Sequence, residues 1–285
     1  MKLGLNPIPD LDWRQMDWPA TAARWRNMGF RGATVFIHKL LESKPGDLYP
    51  VRQAFERVGL EVNQVNGWYE CLVNPEPMLR AQGVKGMQAL CRFGVYLGAY
   101  SVYMRPGSLN PKGHWWAHPD NYSAATFDRL VDSVRQVCQV AEEEGVVVAV
   151  EGHVQTTLHT PERVRDLLDA VASPALKFNL DPVNFIGTVQ DVYDTSRIIN
   201  RLFDLLGGAA IAAHGKDCGL AEAFVMQIHE VLIGAGTMNY ELFLRRFVDT
   251  CPNQYFIIEH LPEEKISLAR DALMRVAGRL NVVFE

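Results

Sequence analysis

Short apolar runs alternate along the chain with longer stretches in which apolar residues recur at helical spacing. This alternation is typical of repeated βα units around a parallel sheet. Two helical stretches carry start signals: residues 127–144 open after Ser123, and residues 162–172 follow Thr160 as N-cap and Pro161 at the first helical position. Eight runs are predicted as strands, at residues 2–6, 32–38, 60–67, 99–105, 146–151, 176–181, 210–215 and 255–260.

Eight βα units are the number that closes a (β/α)8 TIM barrel, and 285 residues fall within the usual size of one such barrel. No low-complexity or charged linker divides the chain, so we predict a single α/β domain over residues 1–285. The segment 106–122, between predicted strand four and the next helix, is long for a connection. We expect it to be a structured loop over the active face.

Four of the predicted strands carry a residue of metal-ligand type at or near their carboxyl ends: Glu151, Asp181, His214 and Glu259. Because side chains alternate between the two faces of a strand, each of these residues shares the barrel face of its strand, at the carboxyl-terminal mouth. Buried ionisable groups need a partner, and four together indicate a shared one. Three carboxylates and one imidazole suit one divalent metal ion, Mn²⁺ as first choice, with Mg²⁺, Co²⁺ or Zn²⁺ as alternatives.

Composition narrows the class of partner. The formal net charge of −5 argues against a surface for nucleic acid or anionic membrane, so a small molecule is expected. The five cysteines are scattered without a CxxC pair, which favours a reduced, cytoplasmic protein. No run approaches the roughly 20 apolar residues that span a bilayer, and the first residues lack a signal-peptide pattern. The sequence is compatible with a monomer or a homo-oligomer.

Several further residues are candidates for substrate binding, each with a structural alternative. Arg105 ends predicted strand four and is a candidate for binding a carboxylate or phosphate, or for a salt bridge. Lys216 is either a substrate contact or a rim salt bridge. His118 and Trp116 belong to the long loop, which is either a lid with an aromatic wall or a segment fixed by its own packing.

As an ordered set, the four strand-end residues resemble the xylose-isomerase-like barrel superfamily, which includes sugar isomerases and epimerases, dehydratases and, more distantly, endonuclease IV. Gly234-Ala235-Gly236, before Asn239 and Tyr240, is similar to the superfamily's segment leading into helix seven. The resemblance implies that Glu151, Asp181, His214 and Glu259 hold a metal that binds neighbouring oxygens of a ketose. It also implies that Glu151 and Glu259 move protons through a metal-stabilised enediolate.

One departure from the superfamily's pattern affects the expected reaction. Sugar epimerases of this kind usually show Asp-x-x-His after strand six, whereas this chain has Asn184 three residues after Asp181. Asn184 can bind a hydroxyl but cannot transfer a proton at neutral pH. His153, two residues beyond Glu151, is a candidate substrate ligand or base in its place. This combination leaves room for β-elimination.

The sequence therefore predicts a metal-dependent isomerase or epimerase of a sugar, a sugar phosphate or a related hydroxy-ketone. A lyase or dehydratase acting on a keto-sugar or keto-cyclitol with the same ligands is the main alternative. Two other classes are a non-catalytic sugar-binding barrel and a DNA repair nuclease like endonuclease IV. The nuclease requires more metal ligands than we can place and a basic surface that is not visible.

Overall fold

The strands form a closed barrel and one separate hairpin in the computed structural model, which describes residues 1–8 and 12–285. The strands are β1 Lys2–Asn6, β2 Gly32–Ile37, β3 Glu61–Gly67, β4 Ser101–Met104, β5 Val148–Val150, β6 Leu176–Leu180, β7 Ala210–Gly215, β8 Asp217–Leu220, β9 Ile228–Val231 and β10 Tyr255–Glu259. Eight of them pair in parallel in the order β1-β10-β7-β6-β5-β4-β3-β2, and β8 and β9 form an antiparallel hairpin. The predicted (β/α)8 barrel is confirmed.

Helices follow each barrel strand and cover its outside. They are α1 Trp18–Asn27, α2 Tyr49–Val58, α3 Pro77–Leu97, α4 Ala124–Glu144, α5 Pro161–Val171, α6 Val189–Tyr193, α7 Thr195–Leu206, α8 Tyr240–Thr250 and α9 Glu263–Arg279. The predicted caps of α4 and α5 are present, since Ser123 and Thr160 each accept a hydrogen bond from the backbone N–H three residues on. The two predicted helices therefore begin close to their expected starts.

Successive side chains of a barrel strand point alternately to the helices outside and to the barrel interior, and each side has its own apolar layer. Val148 and Val150 of β5 belong to the large core between sheet and helices. Ala212, Tyr255 and Ile257, from β7 and β10, form a small apolar cluster of their own within the barrel. The ionisable residues lie further along these strands, towards their carboxyl ends. An apolar layer thus lies directly below the ionisable side chains of the mouth.

The predicted strand runs extend one or two residues beyond the observed ladders. Arg105, Glu151 and Asp181 follow the last paired residue of β4, β5 and β6 rather than ending the strand itself. The alternation of polar and apolar residues indicates which face of a strand a side chain occupies. The hydrogen-bonded pairing of the strand, however, ends where its backbone leaves the sheet. All three side chains are nevertheless buried.

The hairpin of β8 and β9 was not predicted. Its first residue, Asp217, accepts hydrogen bonds from the backbone N–H groups of Gly234, Gly236 and Met238. A Cβ built on Gly236 would lie 2.2 Å from Asp217 Oδ1, so this close approach requires glycine. The Gly-x-Gly segment and Asp217 therefore brace the connection from the hairpin to α8.

Candidate metal centre and substrate pocket

Four buried side chains converge at the carboxyl ends of β5, β6, β7 and β10. Each offers one ligand atom, and these atoms all lie within 4.8 Å of one another; the residues are Glu151, Asp181, His214 and Glu259. They come from four separate strands because a closed parallel barrel brings all its carboxyl ends to one mouth. The structure thus brings together the four residues predicted as metal ligands.

The imidazole of His214 lies between two carboxylates. Its Nδ1 is 3.0 Å from Glu151 Oε1 and 2.9 Å from Glu259 Oε2. Its Nε2 is 3.1 Å from Oε1 of Gln64, on β3. Burial opposes protonation of this ring, but Glu259 and Glu151 outweigh it and raise the pKa of His214 to about 10. Without a metal, a proton occupies the position between the carboxylates.

A ring of amide side chains sets the orientation of His214. Gln64 Nε2 donates to Asn179 Oδ1 at 2.9 Å, and Asn179 Nδ2 donates to Glu151 Oε1 at 3.0 Å. Because the Gln64 nitrogen is used on Asn179, its oxygen is left to accept from Nε2–H of His214. The Nδ1 lone pair is thereby directed at the acidic cluster, as a metal ligand requires.

Lys216 lies on the other side of the cluster. Its Nζ is 2.7 Å from Asp181 Oδ2 and 2.8 Å from Glu259 Oε1, and it donates to Asn184 Oδ1 at 2.9 Å. Burial disfavours its charge, but Asp181 and Glu259 raise the pKa of Lys216 well above its ordinary value. Conversely, burial opposes ionisation of Glu259, yet His214 and the other nearby cations lower the pKa of Glu259 well below the usual range.

The cluster fits a divalent cation on two observations. First, in the part of the chain that the structure describes, three buried atoms have close ionic contacts but no aligned hydrogen-bond partner, namely His214 Nδ1, Asp181 Oδ2 and Glu259 Oε1. Second, burial raises the pKa of Asp181 to about 8 despite the nearby Lys216, so its charge lacks compensation. With all three carboxylates ionised and His214 neutral, the Lys216 ammonium leaves two negative charges, which one divalent ion would neutralise. Oxygen ligands with one imidazole nitrogen suit Mg²⁺, Mn²⁺, Co²⁺ or Zn²⁺.

A pocket of about 490 Å³ opens above this cluster. Glu151 and Glu259 lie at its floor, and its walls include residues of the β4–α4 loop. Five predicted substrate-site residues line it: Arg105, Trp116, His153, Asn184 and Lys216. Aromatic rings form part of the wall, with Phe36 and Trp68 in an edge contact at 5.5 Å. A pocket of this volume with a few converging polar groups is typical of small-molecule sites.

His153 is a neutral hydrogen-bonding group at the pocket wall. Burial lowers the pKa of His153 to about 4. Its Nδ1 accepts a hydrogen bond from the backbone N–H of Gln155 at 3.1 Å, which leaves the proton on Nε2. The ring of Trp115 meets it edge-on at 5.8 Å. His153 therefore offers an N–H donor at neutral pH.

The β4–α4 loop divides into two parts. Residues 112–116, which include the predicted substrate-site residue Trp116, line the pocket. His118 instead caps a short helix at 119–122, where its Nδ1 accepts from the backbone N–H of Asp120. Asn121 is buried and bonds the loop to itself, accepting from Leu109 N–H. The structure thus places His118 with the loop's internal bonding.

Sequence reasoning missed two residues that contact the cluster directly. The Tyr103 hydroxyl donates to Glu151 Oε2, and Gln64 contacts His214. Both are polar groups on strands of the barrel, Gln64 on the largely polar β3 and Tyr103 on β4. For Tyr103 a signal was available, because it lies two residues before Arg105 on the same face. A further contact comes from Asn6, at the end of β1, which donates to Glu259 Oε2 at 2.9 Å.

Fold and site together define a parallel α/β barrel with a buried acidic and histidine cluster below a pocket. The sequence matches the xylose isomerase-like TIM barrel family over residues 22–275, so the chain belongs to that family, and the resemblance seen in the sequence is confirmed. No curated protein shows significant similarity to it. Among the described residues, no helix is long and apolar enough to cross a membrane.

Solved structures share this fold at low sequence identity. A xylose isomerase-like TIM barrel protein from Mycobacterium smegmatis in complex with magnesium has a TM-score of 0.75 and 15% identity, covering 98% of this chain and 97% of its own. The 3-keto-D-glucoside 4-epimerase of E. coli has a TM-score of 0.70 and 17% identity, covering 98% and 99%. A probable 3-DHS dehydratase from Bacillus anthracis has a TM-score of 0.70 and 16% identity, covering 99% of each chain.

Proposed function

We propose that this protein is a divalent-metal-dependent isomerase or epimerase of a sugar, a sugar phosphate or a related hydroxy-ketone. The observation that carries the proposal is the double position of Glu151 and Glu259. Both belong to the four-ligand cluster, and both line the pocket. Two carboxylates facing one bound substrate provide one group to remove a proton and another to return it.

Each residue of the site has a role in this proposal. Glu151, Asp181, His214 and Glu259 would hold the metal, with Mn²⁺ as first choice. A bound divalent ion supplies positive charge that makes a hydroxy-ketone more acidic beside its carbonyl. Glu151 or Glu259 then takes the proton from that carbon, which gives an enediolate. Delivery of a proton to the opposite face of that carbon, from the other glutamate in its protonated form, inverts the centre. Delivery to the former carbonyl carbon, with the hydroxyl proton passing to the former carbonyl oxygen, gives the isomer.

The neighbouring groups orient the substrate. Lys216 keeps its ammonium beside Glu259 and Asn184, where it donates hydrogen bonds to oxygens. Neutral His153 donates from Nε2. The E. coli relative is an epimerase of a keto-glucoside and the M. smegmatis relative is in complex with magnesium, which supports a small carbohydrate substrate and a divalent ion for this chain. The free thiols support the expected cytoplasmic compartment.

Hydrogen exchange in deuterated water tests the proposal. The metal-loaded protein, incubated with a panel of ketoses and their phosphates, should place deuterium on carbon in a substrate of unchanged formula, as read by mass spectrometry and NMR. Glu151→Gln and Glu259→Gln should each lower the exchange rate by at least about 100-fold, because the base is lost. Glu143→Gln, an exposed change near the end of α4, is the matched control.

Unchanged exchange in both glutamine variants would refute the assigned proton transfer. The fold of each variant is checked by its melting temperature and its metal content by titration, so that loss of the ion is separated from loss of the base. The panel also includes sugar acids. If no hydroxy-ketone of the panel exchanges hydrogen, the proposed isomerase or epimerase activity is refuted.

A dehydratase or other lyase is the second candidate, and His153 favours it. A neutral imidazole with its proton on Nε2 is suited to hydrogen-bond a departing oxygen while a glutamate removes the proton beside the ketone. The probable dehydratase from B. anthracis shares the fold. In the same incubation, loss of water from the substrate identifies elimination, whereas a conserved formula identifies isomerisation.

A further inference from the structure

The guanidinium of Arg105 is a second charged feature of the pocket, separate from the metal ligands. Arg105 directly follows β4 and lies two residues beyond Tyr103, so both side chains point into the barrel mouth. Tyr103 contacts Glu151, which places Arg105 one layer above the metal cluster. The residue is only 3% exposed, yet it lines the pocket.

Arg105 differs from Lys216 because its hydrogen-bond partners among the described residues are neutral. Its Nη2 donates to Asn66 Oδ1 at 3.1 Å and to the carbonyl of Gly67. Its Nη1 is buried without a hydrogen-bond acceptor among residues 1–8 and 12–285. The adjacent His114 adds no second positive charge, because burial and Arg105 lower its pKa to about 4.

The surroundings restrict the direction from which a partner can approach. The Arg105 guanidinium lies 4.7 Å from the centre of the Trp68 ring and 4.9 Å from that of Tyr69. Both aromatic contacts leave the in-plane edge for hydrogen bonding. A planar carboxylate pairs with this edge through charge-assisted hydrogen bonds. A buried cation without an anion is costly, so a ligand that supplies the anion is favoured.

Charge balance favours a carboxylate over a phosphate. Among the buried side chains of the pocket, one divalent ion would cancel the charges of the three carboxylates and Lys216, which leaves Arg105 as one uncompensated positive charge. The exposed pocket residues Glu230 and His260 contact each other at 3.1 Å. A carboxylate monoanion neutralises it. A phosphate dianion leaves a negative charge in a buried site that already contains three carboxylates. The other pocket lysine, Lys112, is exposed and contacts the ring of Trp116.

We infer that the substrate is a hydroxy-keto acid of the sugar-acid type. Its carboxylate pairs with Arg105, and its hydroxy-ketone end lies over Glu151 and Glu259. This inference rests on the proposed function for the reacting end of the substrate, whereas the recognition of the carboxylate stands on Arg105 alone.

Three matched ketohexoses test the inference by binding. D-fructose, D-fructuronate and D-fructose 6-phosphate differ at the sixth carbon. It is a hydroxymethyl group in the first, a carboxylate in the second and a phosphorylated hydroxymethyl group in the third. Calorimetry with the metal-loaded protein should give at least about tenfold tighter binding of fructuronate than of fructose, since charge-assisted hydrogen bonds are the strong ones. Arg105→Gln should abolish that preference, and Arg105→Lys should reduce it because the planar fork is lost.

Lys112→Gln is the matched control, because it removes a cation from the same pocket rim; the preference should persist. The preference of the unaltered protein is measured first and needs no variant, so a folding failure of Arg105→Gln leaves the test intact. Equal binding or no binding of the three sugars, or tighter binding of the phosphate, overturns the inference. Tight fructuronate binding without any hydrogen exchange or elimination supports the carboxylate site and removes the proposed function.

Discussion

Gln64 determines how His214 is presented to the metal cluster. An imidazole has two nitrogens, and the one that carries the proton is decided by the hydrogen bond at the other. Here Gln64 accepts from Nε2, and its own nitrogen is held by Asn179, which in turn donates to Glu151. One ring of side chains therefore fixes both an imidazole and a carboxylate ligand. Gln64 and Asn179 are positioning residues.

Gln64→Leu should weaken metal binding about 10- to 100-fold, because the tautomer and orientation of His214 are no longer fixed. The measurement is a calorimetric titration of metal-free protein with Mn²⁺. Gln136→Leu, an exposed change on α4, should leave the affinity unaltered. Retention of full affinity by Gln64→Leu, with a normal melting temperature, would show that the amide ring does not position the imidazole.

Helix α3 shows how an element's packing overrides its local preference. Glycine inside a helix normally costs stability relative to alanine, by up to about 1 kcal/mol. Gly83 lies in α3, where a Cβ would be only 2.2 Å from the backbone oxygen of Glu70. That oxygen belongs to the chain leaving the end of β3, so the glycine lets α3 approach the barrel closely. The backbone at Glu70 cannot move aside for an added Cβ as a flexible side chain could.

Gly83→Ala should therefore destabilise the protein by about 1–3 kcal/mol, against the helix propensity of alanine. Gly278→Ala is the matched control: it lies in α9, and a Cβ there meets nothing within 4 Å. We expect that change to be neutral or slightly stabilising. Urea denaturation of the two variants gives both free energies of unfolding, and equal values would contradict the packing argument.

The barrel is closed at its amino-terminal end by a charged cluster centred on Glu61. Its carboxylate accepts from Lys2 at 2.8 Å, from Arg31 Nε at 2.7 Å and from the Tyr255 hydroxyl at 2.5 Å. These partners come from β1, β10 and the start of β2, so one carboxylate links strands on both sides of the closure. Burial opposes ionisation of Glu61, but the hydrogen bonds from Lys2, Tyr255 and Arg31 lower its pKa to about 2.

A lowered pKa in the folded state means that ionised Glu61 stabilises the fold above the ordinary value of 4.5, and that this stabilisation is lost as the pH falls towards 2. Glu61→Gln should cost about 1–2 kcal/mol at pH 7, a figure reduced for partial exposure. The difference from the unaltered protein should shrink below pH 4.5. Urea denaturation from about pH 3 to neutrality measures it, with the exposed Glu42→Gln as control. A constant difference across this range would exclude ionisation of Glu61 as its cause.

Local patterns were sufficient to predict the eight strands, the starts of α4 and α5, and the four ionisable residues that meet at the mouth. A helix cap depends on a few neighbouring residues, and so does the alternation of side chains along a strand. Both can therefore be predicted from the amino-acid sequence. A closed barrel then brings the strand ends together whatever their separation in sequence. That is why Glu151, Asp181, His214 and Glu259 were identifiable from the amino-acid sequence alone.

Only the tertiary structure decided which side chains support that cluster. Gln64 lies 115 positions from Asn179 and 150 from His214, and such pairings leave no periodic trace in the sequence. The same holds for Arg105, for which the sequence left a salt bridge open, and for His118, which bonds within its own loop. A side chain's role depends on partners brought close by the fold, whereas its direction on a strand depends on its own backbone. The sequence therefore determined the barrel and the four ionisable side chains at its mouth, and tertiary contacts determined the environment of those side chains.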